Sequence, residues 1–143
     1  MRFWDASALV PLLLREPATE RVVALLETDP ELATWWASSV ECASAVARLR
    51  REERLTPADE GRVLAGLDGI RAASHEVQAG EELRRIALRL LRVHPLRAAD
   101  ALQLAAALTW AGSPPFEGAE VVTLDERLAE AAVREGFVVR PES

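Results

Sequence analysis

The stretch RFWDASALV at residues 2–10 decides the fold, because an apolar segment passes through a carboxylate into a helical pattern. Its apolar start predicts a short buried strand, and Ser7 is a candidate N-cap for a helix that runs to about Arg15. Asp5 stands at the junction between the two elements. A strand that passes directly into a helix is the opening of a βαβ unit, so the chain is predicted to have an α/β fold.

The same alternation of strand and helix continues through the chain. Further strands are predicted at residues 32–36, 76–78, 121–123 and 137–139. Helices are predicted from Ser38 or Ser39 to about Arg54, and at residues 57–70, 81–93, 97–110 and 126–134. Short strands between helices favour right-handed crossovers, hence a mainly parallel sheet with helices on both faces. We expect one domain over residues 1–143.

Composition excludes several kinds of chemistry. All 17 basic residues are arginine, which excludes lysine-dependent sites such as P-loops and Schiff bases. The single cysteine, Cys42, excludes an intramolecular disulfide framework and a zinc site built from several cysteines. A net charge of −6 argues against a general nucleic-acid coat but allows an enzyme with an acidic metal centre.

The longest uncharged run covers residues 6–14 and is too short to cross a bilayer. It is flanked by charged residues, and no small-residue cleavage site follows it, so it does not fit a signal peptide. The expectation is a cytoplasmic protein with no membrane partner.

Four carboxylates stand where acids are unusual. Asp5 ends the first predicted strand, Glu41 lies in the first turn after the second, and Asp125 follows the strand at 121–123. In a parallel sheet, ligands bind beyond these carboxyl ends of the strands. Asp100 lies in an apolar helix whose face also carries Leu96 and residues 104 and 107, so its side chain is predicted to point inward.

Converging carboxylates repel each other, and a hard divalent cation relieves that repulsion. Mg²⁺ prefers one or two carboxylates with retained waters. Such a site can polarise a phosphoryl oxygen and activate water, with one ion or with two. The four acids therefore predict metal-assisted hydrolysis of a phosphodiester.

Each acid also has a purely structural interpretation. Ser38 with Glu41 fits a capping box, as does Thr123 with the acids that follow it. Asp100 could be an N-cap if its helix starts late, and Asp5 could accept backbone hydrogen bonds in a turn. Under this alternative the chain is a structural α/β domain whose acids are only caps.

The acids and their neighbours resemble the motifs of PIN domains over nearly the whole chain. The matching segments are residues 3–9, 38–41, 97–105 and 122–128. The resemblance implies an endoribonuclease dependent on Mg²⁺ or Mn²⁺. Asp5 and Asp100 match metal ligands most securely, and Glu41 and Asp125 complete the acidic set. Ser7 and Thr123 match the supporting hydroxyls of the family.

A stand-alone PIN domain of this size resembles the toxin of a VapBC-type toxin–antitoxin pair. The resemblance implies an RNA substrate, a homodimer and a VapB-type antitoxin that inserts a segment over the active site. Some PIN domains are RNA-processing nucleases instead. A PIN-like module that binds RNA or a partner without cutting is the remaining alternative.

Arginines and tryptophans supply further binding candidates. Arg97, one turn before Asp100, is the arginine best placed to serve the site. The arginines at 48–54 and at 85, 89 and 92 could hold RNA phosphates, although a solvated face with local ion pairs is favoured. Trp4 and residues 35–36 could stack on bases but lie on predicted strands, which favours burial.

Overall fold

A computed structural model describes residues 1–142, which form five strands and seven helices. The strands are β1 (Arg2–Trp4), β2 (Leu32–Trp35), β3 (His75–Val77), β4 (Glu120–Val122) and β5 (Val138–Arg140). The helices are α1 (Ala6–Leu13), α2 (Thr19–Thr28), α3 (Ser38–Arg51), α4 (Pro57–Ala73), α5 (Glu81–Val93), α6 (Ala98–Ala111) and α7 (Glu126–Glu135). None of these helices combines the length and the apolar composition that a membrane span requires.

The strands form one sheet in the order β3-β2-β1-β4-β5, and every neighbouring pair is parallel. The predicted α/β fold is confirmed. β1 lies at the centre, where Phe3 is paired with Ala33 of β2 on one side and Val121 of β4 on the other. The carboxyl end of β1 is therefore flanked by the ends of β2 and β4, and Asp5 follows β1 directly.

Helices cover both faces of the sheet, and alternate residues of β1 serve the two faces. Phe3 packs into a core with residues from α5, α6 and α7, whereas Trp4 packs with residues from α1 to α4. Both side chains are fully buried. Because side chains on a strand point alternately to opposite faces, two adjacent aromatic residues anchor two separate cores. The sheet is held from both sides, which fixes the positions of its strand ends.

The element bounds and helix caps agree with the sequence predictions in some places and differ in others. The bounds of α5 are those predicted. The prediction that Ser7 caps α1 is wrong, because Asp5 is the N-cap and accepts a hydrogen bond from the Ser7 backbone N–H. The last strand begins one residue later than predicted, at Val138, since Phe137 is buried in the core before the strand starts.

Candidate active site at the carboxyl edge of the sheet

Asp5 is the most enclosed of the four acids. Only 5% of it is exposed, and its Oδ2 accepts three hydrogen bonds. The Ser7 hydroxyl donates at 2.5 Å, the Thr123 hydroxyl at 2.9 Å and the Ser7 backbone N–H at 3.3 Å. Burial raises the pKa of Asp5, these hydrogen bonds lower it, and the charge of Asp125 raises it further. Within residues 1–142 no side-chain hydrogen bond involves Oδ1, so that oxygen is available to a ligand.

The two hydroxyls also tie Asp5 to the loop after β4. Ser7 Oγ accepts the Leu124 backbone N–H at 2.9 Å, and Thr123 Oγ1 accepts the Asp125 backbone N–H at 3.1 Å. Each hydroxyl thus donates to the carboxylate and accepts from the chain beyond β4. This network fixes the start of α1 relative to the start of α7, and both helix starts carry a predicted site acid.

Glu41 lies in the first turn of α3 and is held from the neighbouring helix. Its Oε2 accepts a hydrogen bond from Gln103 Nε2 of α6 at 2.6 Å. Burial raises the pKa of Glu41 to about 7; the Gln103 hydrogen bond lowers it, and the charges of Asp5 and Asp100 raise it. A carboxyl group with a pKa near neutrality is able to exchange protons at physiological pH.

Gln103 is a site residue that the sequence analysis did not single out. It is 1% exposed, and its Nε2 also donates to Ser38 Oγ at 2.9 Å. The predicted capping box of Ser38 and Glu41 is therefore wrong. The N-cap of α3 is Ala37, and Gln103 Nε2 donates hydrogen bonds to both side chains. The available signal was an amide one turn after Asp100 inside an otherwise apolar helix, since buried amides need partners. Its Oε1 is buried without a hydrogen-bond partner in the described chain.

Asp100 is more open than the sequence predicted. It lies in the first turn of α6 and is half-buried, where an inward-pointing side chain was expected. It is not an N-cap, since Arg97 holds that position. Burial raises the pKa of Asp100, and the charge of Asp125 raises it further, while the charges of Arg97 and Arg127 lower it.

An open groove of about 350 Å³ lies beside Asp100. Its lining comes from the starts of α6 and α7. The lining residues are Arg97, Asp100, Asp125, Glu126 and Arg127. Two of the four predicted acids therefore face solvent along one groove, and Arg97 stands beside them as expected.

Asp125 has a capping role as well as a place in the groove. It is the N-cap of α7, and its Oδ1 accepts the Leu128 backbone N–H at 2.9 Å. The predicted capping box of Thr123 is therefore wrong, because Asp125 itself is the cap. Its charge raises the pKa of both Asp5 and Asp100, so the cap also acts on the other acids.

The four acids act on one another's pKa through their charges, and we refer to Asp5, Glu41, Asp100 and Asp125 together as the acidic ring. Glu41 is affected by Asp5 and Asp100, and both of those are affected by Asp125. Within residues 1–142, no three His, Cys, Asp or Glu side chains converge closely enough to hold a metal ion as they stand. The oxygen-only donors and their mutual repulsion nevertheless fit a hard divalent cation, which would draw them together.

Other side chains considered in the sequence do not belong to this ring, although Cys42 directly follows Glu41. Burial raises the pKa of the Cys42 thiol to about 12, so it is not a nucleophile. Trp4 and Trp35 are buried as expected, but Trp36 is 53% exposed because it follows the last residue of β2. Arg85 and Arg89 form ion pairs with glutamates, which favours the solvated-face interpretation for that stripe.

Comparison with known proteins supports the fold. A family model described as the PIN domain matches residues 2–134. Ribonuclease VapC45 of Mycobacterium tuberculosis is 31% identical over 139 residues, which cover 97% of this chain and 94% of the relative.

Solved structures are similar over the same length. Mycobacterium tuberculosis VapC20, described as a sarcin-ricin loop cleaving toxin, aligns with a TM-score of 0.71 at 19% identity and covers 99% of this chain and 100% of its own. A toxin–antitoxin complex from Klebsiella pneumoniae aligns with a TM-score of 0.67 at 16% identity, with 100% of both chains covered. At these identities the two structures establish the fold alone.

Proposed function

The chain belongs to the PIN-domain family, and from this premise we propose that it is a metal-dependent endoribonuclease that acts as the toxin of a toxin–antitoxin pair. The proposal treats residues 1–143 as one catalytic domain. The placement of four acids supports the proposal most: Asp5 and Glu41 are held by hydrogen bonds, and Asp100 and Asp125 line one groove.

The ring concentrates negative charge that the described residues offset only in part, through the charges of Arg97 and Arg127 beside Asp100. Each of Asp5, Glu41 and Asp100 has a raised pKa, and burial is the largest cause in every case. The chain has no lysine, and Arg97 and Arg127 line the groove without an ion pair to any acid among residues 1–142. Adding a cation from solution would restore the balance of charge.

In this proposal Asp5, Asp100, Asp125 and Glu41 hold Mg²⁺ or Mn²⁺. The ion would supply neutralisation of the charge on the phosphoryl oxygens during hydrolysis. Ser7 and Thr123 hold Asp5 through Oδ2 and leave Oδ1 to the ion.

Glu41 has a second part in the proposal. Gln103 holds its Oε2, so Oε1 can orient an attacking water and accept its proton. Because the pKa of Glu41 is near 7 before a cation binds, its protonation state would respond to whether the cation site is occupied.

The proposed RNA substrate and antitoxin follow from the relatives, and the homodimer from the resemblance to PIN domains. The relative VapC45 is named a ribonuclease, and the aligned Klebsiella pneumoniae structure is a toxin–antitoxin complex. We propose RNA as substrate, a VapB-type antitoxin as inhibitor, and a homodimer as the assembled form. The buried free thiol of Cys42 suits the cytoplasm, which is the proposed location.

The test is RNA cleavage by the antitoxin-free protein with Mg²⁺, with Mn²⁺ and with EDTA. Asp100→Asn is compared with Asp68→Asn, a matched control whose exposed aspartate lies on α4 away from the ring. We expect metal-dependent cleavage by the wild type and the control and none by Asp100→Asn. Equal cleavage by all three would contradict the proposal. Metal-independent RNA binding without any product would support the non-cleaving alternative.

A further inference from the structure

Two arginines stand at the groove beside Asp100 and Asp125. Arg97 is the N-cap residue of α6, and Arg127 lies in the first turn of α7. Both side chains are exposed, and both line the groove of about 350 Å³. Arg127 was not a candidate from the sequence, because its position in the groove depends on how α7 packs.

Neither arginine forms an ion pair within the described chain, although three carboxylates line the same groove. Other arginines behave differently. Arg89 is paired with Glu135 at 2.7 Å and Arg140 with Glu120 at 2.8 Å. A guanidinium group that lies among acids and binds none of them is available to an anion from outside the protein.

We propose that Arg127 and Arg97 bind backbone phosphates of the RNA on either side of the bond that is cut. The inference rests on the proposed nuclease function and deepens it by assigning the residues that hold the strand. The acidic ring by itself repels a polyanion, so an approaching RNA needs positive charge at the same groove. The planar guanidinium fork matches phosphate oxygens in a bidentate geometry.

The positions of the two arginines on their helices add to this attraction. Both stand at helix N-termini, where the helix dipole favours negative charge. α6 and α7 contribute one arginine each, so the strand is held at two points. Such contacts position the RNA and carry no sequence preference.

The experiment measures binding of a labelled single-stranded RNA of mixed sequence in a Glu41→Gln background, which is expected to abolish cutting and changes no residue of the groove lining. Affinity is measured in Mg²⁺ over a range of salt concentrations. We expect Arg127→Ala to weaken binding and to reduce the slope of log K against log salt by about 0.7, the amount for one lost phosphate contact on a single strand. The double variant with Arg97→Ala should lose about twice that slope.

Two variants serve as controls. Arg127→Lys keeps the charge and loses the fork, so its salt slope should stay near that of the parent while its affinity falls. Arg134→Ala removes an exposed arginine from the other end of α7 and should change neither quantity. Melting temperatures of all variants should match the parent's, since neither groove arginine is buried or paired in the described structure.

In the cleavage-competent protein, Arg127→Ala should raise KM with little change in kcat, because it removes binding common to substrate and transition state. An unchanged salt slope in both alanine variants would overturn the inference, while intact cleavage would leave the nuclease function standing. Loss of affinity for an acidic protein partner with no loss for RNA would also overturn it. A wild-type chain that neither cuts nor binds RNA would contradict the proposed function itself.

Discussion

Asp5 and Asp100 lie at the same edge of the sheet in very different surroundings. Asp5 is 5% exposed and accepts three hydrogen bonds on one oxygen. Asp100 is half-buried and lines an open groove with two further acids and two arginines that form no ion pair within residues 1–142. The comparison separates a fixed side of the site, built by β1, α1 and the loop after β4, from an open side at the starts of α6 and α7.

The difference shows that two requirements, an oriented ligand oxygen and access to the substrate, are met by different acids. A ligand oxygen that is already oriented loses little freedom when a cation binds, and the hydroxyl network orients Asp5. An acid that faces a groove can meet the substrate, and Asp100 does so. Burial raises the pKa of both acids, so both sides of the site are destabilised as long as no cation is present.

Neutralising either acid is expected to have the largest effect on RNA cleavage. We expect Asp5→Asn and Asp100→Asn each to lower RNA cleavage by at least about 10²–10³-fold, the usual effect of losing one electrostatic contact to a transition state. They should differ in stability, because only Asp5→Asn disturbs a buried hydrogen-bond network. Single-turnover cleavage and urea denaturation measure the two effects. Cleavage retained by both variants would show that neither side of the site takes part.

Removing a supporting hydroxyl tests whether the fixed side needs its network. Ser7→Ala removes a donor to Asp5 and an acceptor from Leu124 N–H, so it should lower activity or metal affinity by about 10–100-fold. It should also lower the free energy of unfolding by about 1–3 kcal/mol. Ser44→Ala, at an exposed position of α3, is the matched control. Activity and calorimetric Mg²⁺ binding equal to the wild type would show that Asp5 needs no orientation.

Variants at Asp125 distinguish its capping role from its charge, because asparagine and aspartate cap helices about equally well. Asp125→Asn should keep the free energy of unfolding and lose cleavage, whereas Asp125→Ala should lose cleavage and about 1 kcal/mol of stability. Urea denaturation beside the cleavage assay distinguishes the two. If Asp125→Asn cleaves RNA normally, the acid is only a cap and the ring has three functional members.

The smallest expected effect is on the pH dependence of stability. The pKa of Glu41 is about 7 in the folded chain and near 4.5 when the group is free, so the folded state binds more protons between these values. The melting temperature of the metal-free protein should therefore fall by a few degrees as pH rises from 5 to 8. Glu41→Gln should show a shallower fall, with the remainder due to Asp5 and Asp100, whose pKa values are raised in the same direction.

The same measurement with added Mg²⁺ tests whether the cation binds at the acidic ring. Because protons and the cation compete for the carboxylates, the rise in melting temperature on adding Mg²⁺ should be larger at pH 8 than at pH 5. A rise of equal size at both pH values would place the cation away from the ring. Differential scanning fluorimetry with and without EDTA is sufficient for both comparisons.

The sequence by itself determined the α/β class and the bounds of α5, and it predicted the four acids as site candidates. These features follow from local periodicity and from the strand-end positions of carboxylates, which do not depend on how distant segments pack. The family resemblance of residues 3–9 and 97–105 was visible for the same reason.

Only the tertiary structure decided which partner each polar group takes. Ser38 and Glu41 match a capping box in sequence, yet Gln103 from α6 binds both, because a buried amide must satisfy its donors wherever they are found. Asp5 displaced Ser7 as the cap of α1, and the Ser7 hydroxyl reached Leu124 across the sheet edge. The place of Arg127 in the groove likewise depends on how α7 packs. Hydrogen bonds and grooves between segments far apart in sequence depend on packing geometry, and no local pattern encodes that geometry.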